Sequence, residues 1–305
     1  MDIAPSTLRL PKGPWPTVFE CLCAHFPATT PTQWAARFER GRVLDAEHTA
    51  LALHHPYRVG LTVHYFREVE DEPRIPFMES LVHVDEHLVV ADKPHFLPVT
   101  PAGRFVHETL LGRLIKRLAN GDLVPLHRID RGSAGLVLFS ARRDSRSQYQ
   151  ALFRTGLVGK LYEAIAAPLP ELQLPHSRHS RIVRGAPFFR MCEEQGEANA
   201  VTIVAAIERL DAAPGSPRAR YLLRPQTGRK HQLRVHMAAL GAPIDNDTLY
   251  PELDTTTLPS ARLAGDWRAP RDDYSRPLQL LARALSFLDP ISGKLRHFES
   301  TLHLA

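Results

Sequence analysis

The stretch that decides the fold reads LHRIDRGSAGLVLFSA and spans residues 126–141. Its second half is a short run of apolar residues, which predicts a buried β-strand. Its first half is rich in arginine, aspartate, glycine and serine, and this composition predicts a loop that leads into the strand. Asp130 is therefore expected in a loop at the mouth of a strand, where a rigid scaffold often supports functional side chains.

The immediate neighbours of Asp130 are unusually basic. Arg128 and Arg131 flank it, and His127 stands three residues before it. Cations close to an aspartate favour its ionised form. Because structural ion pairs perturb acids in the same way, this stretch alone leaves two roles open, a structural ion pair and a reactive carboxylate.

Length, charge and cysteine content limit the class of protein. The 305 residues suffice for one large domain with a small companion, and the net charge of +5 suits an acidic partner such as nucleic acid. With only three cysteines, a disulfide framework is not expected. The sequence shows no signal-peptide core and no apolar run of membrane-spanning length. We expect a cytoplasmic protein with no membrane partner.

The chain divides into two predicted domains. Residues 1–75 form a small N-terminal module, with helix-like apolar spacing at 18–26 and 33–40 and a strand-like run at 58–66. An acidic segment with prolines closes it. Residues 76–305 form the larger domain, in which strands and hairpins dominate. The fold class is α+β: a mixed, largely antiparallel central sheet with flanking helices and loops, preceded by a small α/β module.

Apolar periodicity places the elements of the larger domain. Strands are predicted as a pair within residues 80–94, at 135–141, 160–167, 200–208 and 219–224, and as a hairpin at 280–300. Helices are predicted at residues 107–121, closed by Gly121, at 144–156 and at 228–241.

A second segment with chemical potential reads RPQTGRKHQLRVHM, residues 224–237. Thr227 is predicted to be a helix N-cap, and Gly228 permits close approach of a ligand. Lys230 and Arg234 are four residues apart and are predicted to share a helix face. Arg234 adjoins the apolar stripe, where it can turn inward toward a carboxylate. A solvated basic helix face fits the same pattern equally well.

A third segment reads KLYEAIA, residues 160–166, and carries a tyrosine on a predicted strand. Tyr162 fits an ordinary core position. Its flat ring and its hydroxyl also suit stacking against a planar base.

Taken together, these segments resemble the RluA-type pseudouridine synthases. HRIDRGSAGL resembles the family's HRLDRxTSGL motif, which implies that Asp130 is the catalytic aspartate. KLYEAIA resembles the KxYxA strand and implies an active-site role for Tyr162. TGRKHQLRVHMAALGAPIDND resembles TGRxHQIRxHxxxxGxPIxGD, in which the matching arginine, here Arg234, pairs with the aspartate. VVADKPHFLPV resembles NKPxGxxV, and LLARALSF resembles the closing LALHA strand. The likeness runs from about residue 77 to residue 305.

The chain departs from the family pattern at a few positions beside these motifs. Ile129 replaces a leucine, and GSAGL replaces xTSGL. Asp92 stands where asparagine is usual, and Asn246 replaces the glycine of the GD pair. None of these changes removes one of the three residues to which the resemblance gives a catalytic role.

The resemblance implies an enzyme that isomerises specific uridines in structured RNA. Asp130 would act as nucleophile or general base, Arg234 would hold it ionised, and Tyr162 would stack on the flipped uracil and assist proton transfer. No metal and no cofactor are expected. We expect a monomer whose first candidate substrate is ribosomal large-subunit RNA, with tRNA as the other. The predicted RNA contacts are His127, Arg128, Arg131, Thr227, Gly228, Arg229, Lys230 and His231.

The N-terminal segment TTPTQWAARFERGRV, residues 29–43, is similar to the α-L RNA-binding domain that precedes the catalytic domain in many relatives. Two alternatives to a synthase remain. One is a degenerate synthase that binds RNA without chemistry. The other is a glycosidase-type hydrolase, which needs a second carboxylate near Asp130. Glu163 is the nearby candidate, although strand alternation points it away from Tyr162.

Overall fold

In a computed structural model, the described residues are 4–69, 72–187, 189–210, 217–250 and 273–305. They form two compact units, Met1–Glu72 with Gly103–His107, and Pro73–Ala102 with Glu108–Ala305. Each unit has its own β-sheet. Within the described ranges, none of the helices combines the length and the apolar composition needed to cross a bilayer.

The first unit packs two helices with a three-stranded sheet. Its elements are β1 (Ser6–Arg9), α1 (Val18–His25), α2 (Pro31–Glu39), β2 (Val43–Leu44) and β3 (Thr62–Tyr65), and the strand order is β1-β3-β2. Both helices begin with a capping box, Thr17 with Glu20 in α1 and Thr30 with Gln33 in α2. These reciprocal bonds satisfy backbone N–H groups that a helix start leaves unpaired, so each helix begins at its cap.

Three arginines of the first unit converge on a single acid. Arg40 and Arg42 contact the Glu68 carboxylate at 2.5 and 3.2 Å, and Arg37 approaches it to 3.8 Å. All three lie in or near the segment that resembles an RNA-binding domain. Part of its positive charge is therefore neutralised within the unit, and an RNA contact by this unit stays a prediction.

The second unit contains most of the chain. Its elements are β4 (Ser80–Val84), β5 (Leu88–Lys93), α3 (Leu110–Leu118), β6 (Val124–Pro125), β7 (Ala134–Ser140), α4 (Arg143–Arg154), β8 (Gly159–Ala166), β9 (His176–Arg184), β10 (Met191–Glu194), β11 (Ala200–Leu210), β12 (Arg218–Pro225), α5 (Gln232–Ala239), β13 (Leu280–Leu288) and β14 (Leu295–Glu299).

These strands form one mixed sheet, in the order β10-β9-β11-β12-β8-β13-β7-β5-β4, with β14 on β13 and β6 on β7. All neighbours are antiparallel except β7 and β13. Gly135 permits this parallel pair: its φ is +108°, and a Cβ there would lie 2.3 Å from the carbonyl oxygen of Ala282. The sheet therefore requires glycine at position 135, the second glycine of the opening motif.

Several local predictions were wrong. Helix α3 ends at Leu118, where Ala119 takes a left-handed conformation, and Gly121 lies beyond its end. Helix α5 begins at Gln232 with His231 as its N-cap, so the predicted cap at Thr227 is four residues too early. Strands β9 and β10 were not predicted, because their polar and charged residues give no apolar signal.

Candidate active site

Asp130 lies in the loop between β6 and β7, and the buried side chain of Lys93 holds this loop in place. The ammonium group of Lys93, which is fully buried, donates to the carbonyl oxygens of Pro94 (2.9 Å), Leu97 (2.7 Å) and Arg131 (3.2 Å). Burial lowers the pKa of Lys93 to about 7, and the charge of Asp130 opposes that shift. Three carbonyl acceptors match the three N–H donors of an ammonium. Lys93 thus ties the residue after Asp130 to the loop that follows β5.

Arg234 reaches Asp130 from helix α5. Its Nη1 donates to Asp130 Oδ2 at 3.1 Å, while Nε and Nη2 donate to the two oxygens of Asp247, each at 2.7 Å. Burial lowers the pKa of Arg234, but Asp247 and Asp130 outweigh it and raise that pKa above its ordinary value. The guanidinium is a permanent cation whose plane is fixed by Asp247. Of the N–H groups that Asp247 leaves unused, one on Nη1 donates to Asp130.

Tyr162 lies on β8 and lines the same cleft as Asp130. Its ring packs against the apolar cluster formed by β8, β12 and α5. Burial, and then the negative charge of Asp130, raise the pKa of Tyr162. The phenol is therefore protonated at neutral pH. The structure brings Asp130, Tyr162 and Arg234 to one cleft, although these residues are far apart in the sequence.

His231 faces Asp130 from the start of α5. Its φ is +56°, and its Nε2 lies 3.8 Å from Asp130 Oδ1. Its Nδ1 lies 2.6 Å from the hydroxyl of Tyr250, which accepts the N–H of Met191. Burial lowers the pKa of His231 to about 4. The ring is neutral, and the Tyr250 hydroxyl can donate to Nδ1 only in the tautomer that carries its proton on Nε2, toward Asp130.

His127 was predicted to contact RNA, and in the structure its ring also makes contacts within the fold. Its Nε2 accepts the backbone N–H of Leu138 at 3.1 Å, and its ring stacks on Phe153 with centroids 4.7 Å apart. Burial, and then the charge of Lys160, lower the pKa of His127 to about 3. A neutral ring contributes no charge to RNA binding. Arg128, by contrast, is exposed on the cleft and has no hydrogen bond or ion pair to a described residue.

The residues before α5 form a loop on the cleft. Thr227 accepts the N–H of Val201 (2.9 Å) and donates to Gln232 (2.7 Å), so it fixes the loop rather than capping the helix. Gly228, Arg229 and Lys230 are exposed on the cleft. Because Lys230 precedes the helix, the prediction that Lys230 and Arg234 share a helix face is wrong. Its ammonium instead donates to the carbonyl oxygen of Phe189 at 3.3 Å.

The cleft that unites these residues has a volume of about 1580 Å³. Its lysine and arginine residues are Arg128, Arg131, Arg154, Lys160, Arg229, Lys230, Arg234 and Arg276, and its acidic residues are Asp130, Asp247 and Asp273. This excess of positive charge suits a phosphate backbone. Every predicted catalytic and RNA-contact residue lines it.

Three residues of the site were not singled out from the sequence: Asp247, Lys93 and Tyr250. Asp247 is the last residue of the GAPIDND segment, and Lys93 follows the Asp92 departure. Both were inside quoted motifs, so the motif pattern held the signal. Tyr250 was outside every motif that we compared. Its contact with His231 depends on how the chain returns after α5.

Glu163, the second carboxylate that a hydrolase would need, faces a different set of residues. Arg283 binds it through two hydrogen bonds of 2.7 and 3.0 Å, and Arg220 lies 3.8 Å away. Glu163 is not one of the described residues that line the cleft. Glu163 is therefore not placed to be the second acid of the hydrolase alternative.

Comparisons with known proteins show the family to which the chain belongs. A sequence model of the family described as RNA pseudouridylate synthase matches residues 87–239. An uncharacterised RNA pseudouridine synthase of Synechocystis sp. is 32% identical over 220 residues, which cover 71% of this chain and 73% of the relative. The dual-specificity RNA pseudouridine synthase RluA of Vibrio vulnificus is 30% identical over 231 residues, covering 73% of this chain and 83% of that one.

The fold has counterparts among solved structures. Human RNA pseudouridylate synthase domain containing 1 matches with a TM-score of 0.57 at 22% identity, covering 76% of this chain and 86% of that one. This likeness confirms the predicted fold class. The chain belongs to the RluA-type family of RNA pseudouridine synthases, which are isomerases.

The buried histidines make the stability of the protein depend on pH. Burial lowers the pKa of His127 to about 3, and of His231 and His236 to about 4. Between the ordinary value of 6.5 and about 4, the unfolded chain binds protons that the folded chain does not. The free energy of unfolding should therefore fall as the pH is lowered through this window. Urea denaturation at pH 7, 6 and 5 measures this loss.

His236→Asn provides the control for this prediction. His236 is buried, with its ring nitrogens 2.8 Å from Thr202 Oγ1 and 2.9 Å from Ser180 Oγ, and asparagine retains some hydrogen-bonding capacity. Removing one titrating group should reduce the change of the unfolding free energy with pH by up to about 1.4 kcal/mol per pH unit. An unchanged slope would mean that His236 is not kept neutral in the folded protein.

Proposed function

We propose that this cleft isomerises uridines in structured RNA with Asp130 as its catalytic group. Ribosomal large-subunit RNA is the first candidate substrate, and tRNA is the other. The observation that carries the proposal is a carboxylate that is 25% exposed in a basic cleft and hydrogen-bonded to a buried arginine. The dual specificity in the name of the Vibrio relative supports testing both RNA classes.

The hydrogen bonds of Asp130 leave one of its oxygens available for chemistry. Oδ2 accepts from Arg234, whereas Oδ1 lies 3.8 Å from His231 Nε2, beyond hydrogen-bond distance. Within the described residues, Oδ1 therefore has no hydrogen-bond donor. A carboxylate oriented through one oxygen can use the other as a nucleophile or a base.

The reaction moves the glycosidic bond of uridine from nitrogen to carbon. The uridine first leaves its stack. The bond between C1′ and N1 breaks, the uracil turns, and C1′ bonds to C5. C5 then loses its hydrogen and N1 gains one, so the product is an isomer. Asp130 Oδ1 would act as nucleophile at the ribose or base, or as the base that removes the hydrogen from C5.

Other cleft residues would bind the RNA rather than react. Arg128, Arg229 and Lys230 are exposed on the cleft and suit phosphate contacts. The alternative of a degenerate binding module does not require Asp130, Tyr162 and Arg234 to meet. Their convergence in one cleft supports catalysis.

Release of the C5 hydrogen tests this function. Unmodified transcripts of large-subunit ribosomal RNA and of tRNAs are prepared with tritium at C5 of uridine and incubated with the purified full chain. Conversion should release about one tritium per modified site, and mapping should place pseudouridine at defined positions. If folded protein released no tritium from either ribosomal RNA or tRNA, this result would contradict the proposal.

Tyr162→Phe tests whether the hydroxyl takes part. The ring and its packing remain, so RNA affinity should be unchanged. If the protonated phenol transfers a proton, the single-turnover rate should fall by about 10²-fold. Single-turnover conversion at saturating protein measures this rate. A rate equal to that of the wild type would restrict Tyr162 to packing and stacking, for which Tyr162→Leu is the matched variant.

A further inference from the structure

Phe96 occupies a backbone position that favours glycine. It stands at the glycine of the NKPxGxxV motif that residues 92–99 resemble. Its φ is +66°, in the left-handed region that disfavours side chains with a β-carbon, and bulky ones most. Of the described non-glycine residues with positive φ, only Phe96 carries an apolar aromatic ring. Such strain persists at positions where the surrounding structure enforces it, and these cluster at functional sites.

Hydrogen bonds on both sides of Phe96 enforce this conformation and join it to the loop of Asp130. On one side, His95 Nδ1 lies 2.7 Å from the carbonyl oxygen of Gly132. On the other, the Lys93 ammonium bridges the carbonyl oxygens of Leu97 and Arg131. The segment that carries Phe96 and the segment that follows Asp130 are thus fastened together. Phe96 is held next to the catalytic loop.

The ring of Phe96 is fixed but not covered. It stacks on Phe77 with centroids 5.9 Å apart and planes inclined by 22°, and it makes a T-shaped contact with Tyr274 at a centroid distance of 5.1 Å. Phe77 and Tyr274 also contact each other at 5.4 Å. Phe96 nevertheless remains half-buried and lines the cleft. An ordered aromatic surface therefore faces the space in front of Asp130.

The chemistry of this corner suits an unpaired nucleobase. Arg276 lies two residues beyond Tyr274 and is exposed on the same cleft. Aromatic rings beside cations are the arrangement with which proteins bind unpaired nucleic acid, because every base has a face that can stack. When a uridine leaves its helix, the base next to it loses a stacking neighbour.

We propose that Phe96 stacks on the nucleobase adjacent to the target uridine in the RNA strand. This inference rests on the proposed function. It makes Phe96 a binding and specificity-determining residue of the site, with no part in bond making. The cost of a bulky residue in a left-handed conformation is then offset when the base binds.

A cycle of protein and RNA variants tests the contact. The RNA is a stem-loop taken from the transcript that the wild type converts, either intact or with an abasic site on one side of the target uridine. The proteins are the wild type, Phe96→Leu, Phe96→Tyr and Phe96→Gly. Leucine keeps apolar bulk, tyrosine keeps the ring, and glycine relieves the backbone while removing the ring.

The RNA affinity should stop depending on the flanking base only in the variants that lack the aromatic ring. At one of the two flanking positions, the abasic site should raise the Kd of the wild type and of Phe96→Tyr by about tenfold. For Phe96→Leu and Phe96→Gly the same abasic site should change the Kd less than about twofold, since no stacking remains to be lost.

Equal base dependence in the wild type and Phe96→Leu would overturn the inference. If the leucine and glycine variants do not fold, the wild type and Phe96→Tyr still decide it. Indifference of both proteins to an abasic site at either flank would then overturn it. A wild type that converts no RNA would instead overturn the proposed function, and the inference with it.

Discussion

Asp130→Asn should abolish pseudouridine formation and leave RNA affinity nearly intact. The substitution keeps the shape of the side chain and removes the anionic oxygen that faces the cleft. Loss of a group that acts directly on the reacting bonds lowers turnover by about 10⁴-fold or more. Single-turnover conversion, with affinity measured by fluorescence anisotropy, separates the two effects.

Asp273→Asn is the matched control for this variant. Asp273 also lines the cleft and is exposed, so the substitution makes the same change in charge. It should leave the conversion rate within about twofold, because the Asp273 carboxylate bonds to Ser275 and not to Asp130 or Arg234. If Asp130→Asn kept more than a trace of turnover, Asp130 would not be the catalytic group, and the cleft would need another acid.

Arg234→Ala should remove most activity and also destabilise the protein. Arg234 is 8% exposed, and its partner Asp247 is fully buried. Without the guanidinium, Asp247 becomes a buried charge with no cation beside it, which costs about 3–5 kcal/mol. Asp130 also loses its hydrogen bond. Urea denaturation should show the loss of stability, and single-turnover assays at low temperature the loss of activity.

Lys230→Ala is the comparison for Arg234→Ala. Lys230 is exposed, so the change should leave stability within about 0.5 kcal/mol. Removal of one phosphate contact should weaken RNA binding and reduce the dependence of log Kd on log salt by about one. Equal losses of rate from both substitutions would mean that both residues act as phosphate contacts. The role of Arg234 in orienting Asp130 would then be wrong.

The fold was predictable where local signals were strong. Helices α1 and α2 start at threonine caps, and their apolar spacing placed them within two residues of their observed bounds. The apolar strands β7, β8 and β13 were also recognised. Strands β9 and β10 are rich in polar and charged residues. They become strands because β9 pairs with β11 and β10 pairs with β9, and sequence periodicity does not report such pairing.

The site was predictable through its motifs, and less through local geometry. Local reasoning placed a helix cap at Thr227, whereas the hydroxyl of Thr227 bonds to Gln232 and Val201. The resemblance to the family motifs implied that Arg234 pairs with Asp130, and the structure shows this contact across 104 residues of sequence. The bidentate partner Asp247 closes the GAPIDND segment, so the motif marked the residue. Its contact with Arg234 depends on the return of the chain after α5, which is a tertiary feature.

Mapping of pseudouridine in cells that lack this protein tests the account most directly. One or a few defined sites in ribosomal or transfer RNA should be unmodified in these cells. Expression of the wild-type chain should restore them, and expression of Asp130→Asn at the same level should not. A map identical to that of normal cells, or full restoration by Asp130→Asn, would contradict the assignment of this cleft and this aspartate to the reaction.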